Sequence, residues 1–279
     1  MSELSETSTG HALSEGGWLD THYASARAEY EEGLRWVGIE AGWRLLDAGA
    51  GGGAFLPLLS HLAGGGANVT AVDLAPENIE RIRALASSFP PLAGLAAEVG
   101  SILALPFPDE AFDCVWCANV AQYLWLADLD RAIGEFCRVL KPGGVLAIKE
   151  FDGALIGLHP IDPDLLARWQ MARRQDYAQR DVFGVSSTES LHPKLSAARL
   201  QEIRLRGWLV ERRPPLSNAT RAMVHAAIRF WAQSAQTLDL SAEDKTAWAR
   251  LHADPASLID ATDFCFREGF IVAVGRKPR

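Results

Sequence analysis

The chain has 279 residues, of which 48% are hydrophobic and 22% charged, so it can bury a core and is too apolar for intrinsic disorder. Its formal net charge of -8 at pH 7 offers no broad positive field to neutralise phosphates, and we therefore expect no nucleic-acid partner. No run approaches the roughly 20 consecutive apolar residues of a membrane-spanning helix, so membrane insertion is not expected either.

The first 17 residues predict a disordered lead-in, because they are rich in Ser, Thr, Glu and Gly. They have neither the basic start nor the apolar segment of a signal peptide, so we expect a cytoplasmic protein without a disulfide framework. Among the cysteines, Cys114 and Cys117 form a C-x-x-C pair within a predicted strand, where residues three apart point to opposite faces. No second Cys or His pair completes a site, and we predict no metal.

The first predicted element is an amphipathic helical region over 18–37, with apolar residues at spacings of three and four. Short β-type runs then alternate with helical stretches up to residue 150. The predicted strands are 44–46, 69–72, 95–99, 113–118 and 145–149, with helices at 76–85 and 129–140. Such alternation is typical of βαβ units and a parallel sheet.

After residue 150 the pattern becomes mainly helical. The elements expected there are helices at 164–180 and 194–206, a strand at 208–212, a helical block at 219–251 and a strand pair over 264–276. We predict that the strand pair pivots near Gly269 and that both helical blocks are lids over the carboxyl edge of the sheet, where open α/β folds bind ligands. The predicted domains are a lead-in at 1–17, helices and core at 18–150, a lid at 151–206, and the end of the sheet at 207–279 with a second insertion at about 215–263.

The strongest pattern is a glycine-rich turn between the first strand and the next helix, in the run L-L-D-A-G-A-G-G-G at 45–53. Glycines let a backbone approach a ligand without Cβ contacts, and the following helix presents free N–H groups and the positive end of its dipole. Gly49, Gly51 and Ala54 satisfy the dinucleotide pattern G-x-G-x-x-G/A, so a nicotinamide enzyme stays open.

Asp73 ends the second predicted strand, 22 positions after Gly51. There a carboxylate can accept hydrogen bonds from both ribose hydroxyls of an adenosine. NAD and other adenosyl cofactors all contain such a ribose. The alternative role of Asp73 is a helix cap before Pro76.

Four motifs, in this order, closely resemble those of class I methyltransferases that depend on S-adenosylmethionine (SAM), particularly the small-molecule subgroup with ubiquinone and menaquinone methyltransferases. They are the glycine run at 45–53, A-V-D-L-A at 71–75, L-P-F-P-D-E-A-F-D at 105–113 and R-V-L-K-P-G-G at 138–144. The resemblance implies an α/β fold with a doubly wound, seven-stranded Rossmann-like sheet, mostly parallel with the last strand antiparallel, and helical lid insertions. It also implies SAM as cofactor and methyl transfer to an O, N or C atom of a small organic molecule, in natural-product or quinone-type metabolism.

Carried over residue by residue, the resemblance implies ten cofactor-binding positions. They are Asp47, Gly49 and Gly51 for the methionine half, Asp73 for the ribose, Leu74, Ser101 and Ile102 for the adenine, Asn119 and Val120 for the methionine or sulfonium region, and Tyr23 over the SAM carboxylate. Ser101 departs from the family, which usually has Asp there, so adenine recognition would rest on a neutral side chain or on backbone groups. Asn119 is followed by Val-Ala-Gln and not by the two prolines and aromatic of amino-methylating nucleic-acid enzymes.

Methyl transfer from a sulfonium needs little covalent help, because the protein mainly aligns the reactants, excludes water and, where needed, removes a proton. Glu150 and Asp152 directly follow the fifth predicted strand, and His159 lies in a later loop, so we predict these three as catalytic bases. His22 is a further candidate. The alternative for Glu150 and Asp152 is that they satisfy loop backbone groups or face solvent, and for His159 a plain surface role.

Two other functions stay open at this point. An NAD(P)-dependent oxidoreductase rests on the G-x-G-x-x-A match, but no Tyr-x-x-x-Lys pair follows the fourth predicted strand. A SAM-fold protein could also bind the cofactor without methyl transfer, since a glycine turn reports binding and not turnover. The sequence does not identify the acceptor molecule. It also leaves the oligomeric state open, and a homodimer is one of the alternatives.

Overall fold

The computed structural model describes residues 16–184 and 187–279, with side chains described from residue 21 onward. Residues 1–15 of the predicted lead-in lie outside the described residues, and residues 16 and 17 already belong to the first helix.

The described ranges contain ten α-helices and seven strands. The helices are α1 (Gly16–Ser25), α2 (Arg27–Trp36), α3 (Leu56–Ala63), α4 (Pro76–Ser88), α5 (Leu126–Val139), α6 (Pro163–Gln179), α7 (Leu191–Ala197), α8 (Asn218–Ala235), α9 (Ala242–Ala253) and α10 (Pro255–Ile259). The strands are β1 (Leu45–Ala48), β2 (Val69–Asp73), β3 (Ala96–Val99), β4 (Phe112–Ala118), β5 (Leu140–His159), β6 (Gln201–Arg212) and β7 (Cys265–Arg276).

The seven strands form one sheet in the order β3-β2-β1-β4-β5-β7-β6. Strands β1 to β5 pair in parallel, whereas β7 lies antiparallel between β5 and β6. This topology confirms the predicted fold class. Leu45 of β1 pairs with Val69 on one side and Cys114 on the other, so the strand order reverses at β1. Ligands of open α/β sheets bind beyond the carboxyl ends of the strands at such a reversal.

Alternate residues of each buried strand point to opposite faces, so both faces of the sheet carry apolar side chains. Helices cover both faces. One core holds Leu45 together with side chains of α2, α3 and α4, and the other holds Leu46 with side chains of α5 and α7. Cys114 belongs to the first core and Cys117 to the second, which confirms that they face apart.

A third core lies beyond the sheet, between α6, α8, α9 and α10, which we call the lid helices. Its largest members are Trp169, Trp231 and Trp248, and the ends of β5 and β7 reach it through Ile156 and Phe266. Among the residues described by the structure, no helix is long and apolar enough to cross a bilayer.

Three predictions for the second half of the chain are wrong. Strand β5 continues to His159 instead of ending at residue 149, and residues 201–206, predicted as helix, begin β6. Both strands are extended by pairing with β7, a distant partner that local periodicity does not reveal. The predicted pivot at Gly269 is an uninterrupted strand: a Cβ there would stand 2.3 Å from Leu155 Cδ1, so packing requires the glycine. The predicted lid at 151–206 therefore contains strand at both ends.

Candidate active site

A cavity opens at the carboxyl ends of β1, β2 and β4. All ten predicted cofactor positions line it. Its other lining residues are His22, Tyr30, Ala50, Gly52, Ala54, Phe55, Gly100, Leu103, Ala118, Tyr123 and Leu124. Residues from the predicted turn after β1, the acid ending β2 and the loop after β4 are thus brought together at the place expected for a ligand.

The turn after β1 depends on the glycine at position 49. Its φ of 76° lies in the left-handed region, and a Cβ there would stand 2.5 Å from Val120 Cγ2. The backbone N–H groups of Gly49 and Ala50 both donate to the Val72 carbonyl, at 2.8 and 3.0 Å. Glycine therefore lets the turn pack directly against the loop after β4.

Asp73 holds the glycine turn and the start of α4 at once. Its Oδ2 accepts a 2.8 Å hydrogen bond from the Gly51 N–H, while Oδ1 accepts from the Ala75 N–H at 2.9 Å and Asn78 Nδ2 at 3.0 Å. These bonds use three of the roughly four acceptor positions of a carboxylate, and the side chain still lines the cavity. Asp73 thus lines the cavity, as predicted for a ligand-binding residue, and also forms hydrogen bonds at the start of α4, which was the alternative role. Sequence reasoning missed Asn78, which carries no motif of its own.

Asp47 is a buried acid with an unused oxygen. It is 2% exposed, and burial, with a smaller contribution from Asp73, raises its pKa to about 8. Its Oδ2 has no hydrogen-bond partner among the described residues. A buried charge is costly unless it is paired, so this oxygen suits a cationic donor in the cavity. The ammonium of an amino-acid group is such a donor, and the site therefore fits the methionine half of SAM.

Another part of the cavity lining is more apolar. Leu74, which is 42% exposed, lines the cavity together with Ser101 and Ile102. The Ser101 hydroxyl accepts a 3.2 Å hydrogen bond from the Leu103 N–H, so it orders its own loop. This wall is suited to a flat, weakly polar group such as an adenine.

The two remaining motifs form one structural unit below the cavity. Arg138 donates to the carbonyls of Leu105 and Phe107, at 3.0 and 2.8 Å, and pairs with Glu135 at 2.9 Å. Glu135 in turn accepts from the Leu105 N–H at 2.8 Å. Arg138 of the motif at 138–144 thus holds the loop formed by the motif at 105–113.

The loop after β4 is held from beneath by two neighbouring residues of β5. Asn119 has a positive φ of 58°, and its Oδ1 accepts a 2.6 Å hydrogen bond from Lys149 Nζ. Glu150 Oε1 accepts from the N–H groups of Val120 and Ala121, at 2.9 and 2.8 Å. Burial lowers the pKa of Lys149 and raises that of Glu150. Because the ammonium can only donate, the Asn119 amide oxygen is fixed toward it.

The three predicted bases do not line the cavity, and the structure places each of them elsewhere. Glu150 is fully buried beneath the loop that it orders. Asp152 accepts from Thr188 Oγ1 at 2.7 Å, and exposed His159 lies 3.0 Å from Asp263. The alternatives fit these positions better: Glu150 bonds to backbone groups of a loop, and His159 has a surface role.

Aromatic side chains complete the wall next to the Asn119 loop. Tyr23, a predicted position, packs edge-to-face on Phe55 with ring centroids 5.1 Å apart. Tyr30 was missed as a cavity residue, although it follows Tyr23 by seven positions on the same helical region. Tyr123 also lines the cavity, and burial raises its pKa to about 12.

Comparisons with known proteins match the part of the chain that carries most of this cavity. Residues 46–148 match the family described as a methyltransferase domain. Malonyl-[acyl-carrier protein] O-methyltransferase of Methylococcus capsulatus is 37% identical over 162 residues, 58% of this chain and 53% of that protein. 2-Methyl-6-phytyl-1,4-hydroquinone methyltransferase of Synechocystis is 29% identical over 168 residues, 57% of this chain and 45% of that protein. The chain thus spans about half the length of these curated relatives.

Solved structures show the same fold. A putative methyltransferase from Bacillus halodurans has a TM-score of 0.56 at 17% identity, covering 90% of this chain and 100% of that one. The [4+2]-cyclase SpnF has a TM-score of 0.51 at 22% identity, covering 89% and 81%. Together with the sheet order and the four motifs, the domain match identifies the chain as one that carries a class I SAM-dependent methyltransferase domain. None of these findings supports the nicotinamide alternative.

Proposed function

We propose that this chain transfers a methyl group from SAM to an O, N or C atom of a small organic molecule. The observation that carries the proposal is the cavity in which Asp47, Asp73 and the glycine turn converge at the strand reversal. When bound, SAM supplies a methyl group on a positively charged sulfur.

Each wall of the cavity has a role in this proposal. Asp73 accepts from one ribose hydroxyl at its remaining acceptor position, and the unpartnered Oδ2 of Asp47 accepts from the ammonium. The adenine lies between Leu74 and the loop at 101–102, and the sulfonium faces Asn119 and Val120, as the resemblance implies. Tyr23 covers the carboxylate. The buried aromatic wall excludes water and aligns the acceptor.

The acceptor is proposed to be a small molecule of natural-product or quinone-type metabolism. The relatives are named for a malonyl-[acyl-carrier protein], a phytyl hydroquinone and a demethylrifamycin, so acceptors differ widely among similar domains. The reaction needs neither a nucleic acid nor a membrane.

An acceptor screen tests the proposal. The protein is incubated with SAM and phenol, amine, carboxylate and enol acceptors, and mass spectrometry detects the gain of one methyl. We expect product with wild type, and at least a tenfold weaker SAM affinity with Asp73→Ala, about 1.4 kcal/mol. Since a [4+2]-cyclase shares the fold, SAM binding without any methylated product would favour the binding-only alternative. Absence of SAM binding would overturn the proposal.

A further inference from the structure

A second group of polar side chains includes two that line the cavity and two that are buried outside its lining. It consists of His22 from α1, Tyr30 from α2, Lys149 from β5 and Glu268 from β7, and we call it the buried polar cluster. Lys149 and Glu268 are 1% and 3% exposed. The role of holding the Asn119 loop explains Lys149 but neither His22 nor Glu268.

Glu268 is a buried acid on β7, a strand that lies between β5 and β6, where apolar residues are the norm. Its Oε2 lies 3.0 Å from His22 Nε2, and its Oε1 is buried with no hydrogen-bond partner in the described part of the chain. A buried carboxylate is unfavourable unless a positive charge or hydrogen bonds compensate it. The arrangement is therefore suited to stabilising a positive charge on the His22 ring.

A chain of contacts through Tyr30 and Lys149 links the His22 ring to Asn119, a residue assigned to the methionine or sulfonium region. Lys149 Nζ lies 2.6 Å from Asn119 Oδ1 and 3.9 Å from the centre of the Tyr30 ring. The Tyr30 hydroxyl lies 3.3 Å from His22 Nε2 and 3.4 Å from His22 Nδ1. His22, Tyr30 and Asn119 all line the cavity, whereas Glu268 lies behind them. The ring thus stands between a buried acid and the cavity.

We propose that His22, oriented by Glu268, is the general base that removes the proton of the methyl acceptor. As the acceptor lone pair bonds to the methyl carbon, the carbon–sulfur electron pair returns to sulfur. The acceptor proton passes to Nδ1 of His22, and the Glu268 carboxylate stabilises the resulting imidazolium through Nε2–H. The proton then leaves to solvent. The inference rests on the proposed function and narrows the acceptor to a group with an O–H or N–H proton to lose.

The charged surroundings of the ring come from four elements. Glu268 and Lys149 lie on strands β7 and β5, and Tyr30 on α2; Arg212 of β6 interacts electrostatically with Glu268 and also pairs with Glu29 of α2 at 2.8 Å. Lys149 and Arg212 both interact electrostatically with Glu268, and each also interacts with a second acid, Glu150 for Lys149 and Glu29 for Arg212.

The test compares acceptors that do and do not need a base, in wild type and His22→Gln. One is a phenol that is neutral at the assay pH, and the other a nitrophenol that is already ionised. We expect His22→Gln to slow methylation of the neutral phenol by about 10²–10⁴-fold and that of the ionised phenol much less. SAM affinity, measured by calorimetry, should stay within about twofold. Equal losses for both acceptors would indicate a structural role and overturn the inference.

Two further measurements separate catalysis from folding. His159→Gln is the matched control, because His159 has the same 3.0 Å contact to an acid but is exposed and away from the cavity. Ring-nitrogen NMR should show the Nε2–H tautomer of His22 in wild type and its loss in Glu268→Gln; an unchanged tautomer would contradict the role of Glu268. Wild type that binds SAM but methylates no acceptor would overturn the proposed function, and this inference with it.

Discussion

At the scale of single residues, the cavity is defined by two acids with different tasks. Asp73 already accepts three hydrogen bonds from the protein, so it organises the site before any ligand binds. Asp47 has an oxygen without a partner, and its pKa is raised to about 8 by burial and then by Asp73. Its protonated form is therefore favoured until a cation arrives.

SAM affinity should consequently depend on pH through Asp47. A cation at Oδ2 favours the ionised carboxylate and lowers its pKa in the complex, so binding releases a proton. Affinity should therefore rise from about pH 6 toward about pH 8, where the free carboxyl ionises without ligand. Calorimetry in buffers of different ionisation enthalpy measures the released proton. Asp47→Asn should remove both effects, and a pH dependence unchanged in that variant would contradict this role.

At the scale of elements, the site depends on how the turn after β1 meets the loop after β4. Gly49 packs on Val120, and the adjacent residues Lys149 and Glu150 of β5 fix the loop from below. The parallel pairing of β4 with β5 brings Ala118 opposite Lys149. This register places the side chains of Lys149 and Glu150 under the loop after β4. Strand register therefore sets the geometry of the cavity.

Substitution of two glycines separates backbone strain from this contact. Gly49 and Gly42 both have a positive φ, 76° and 88°, but a Cβ at Gly42 would meet nothing within 4 Å. Gly42→Ala should cost about 1 kcal/mol of unfolding free energy and leave SAM affinity unchanged. Gly49→Ala should cost more and weaken SAM binding at least tenfold, because Val120 must move. Denaturant unfolding and calorimetry measure both, and equal effects of the two changes would argue against the contact.

At the scale of the whole molecule, the lid helices have their own hydrophobic core next to the two cores of the sheet. Trp248 is fully buried in it, and Arg168 of α6 forms two hydrogen bonds to Asp244 of α9, at 2.9 and 2.8 Å. The ends of β5 and β7 join this core to the sheet. The lid helices should thus lose stability without loss of the cofactor cavity.

Trp248→Ala tests this independence. A large-to-small change at a buried tryptophan typically costs about 3–5 kcal/mol. Hydrogen exchange should accelerate in α8 and α9 and stay unchanged in α3 and α5, with SAM affinity preserved. Uniform acceleration over all helices would show that the lid helices and the sheet unfold as one unit.

The sequence predicted the half of the molecule where motif and local pattern coincide. The turn at 45–53, Asp73 and the loop at 119–120 line one cavity, and each lies where a predicted strand ends within a short stretch of sequence. Residues 201–206 were mispredicted because their strand exists only through pairing with β7, far along the chain. Glu150 was assigned as a base from its position after a strand, and only the structure shows that it faces a backbone loop. His22 and Glu268 are 246 positions apart in the sequence, so no local pattern predicts their contact.

A calorimetric titration of the wild-type protein with SAM, S-adenosylhomocysteine and NAD tests the central claim most directly. The cavity built from Asp47, Asp73 and the glycine turn should bind the two adenosyl amino acids and show no heat with NAD. Binding of NAD alone, or of none of the three, would contradict the assignment of this cavity to SAM.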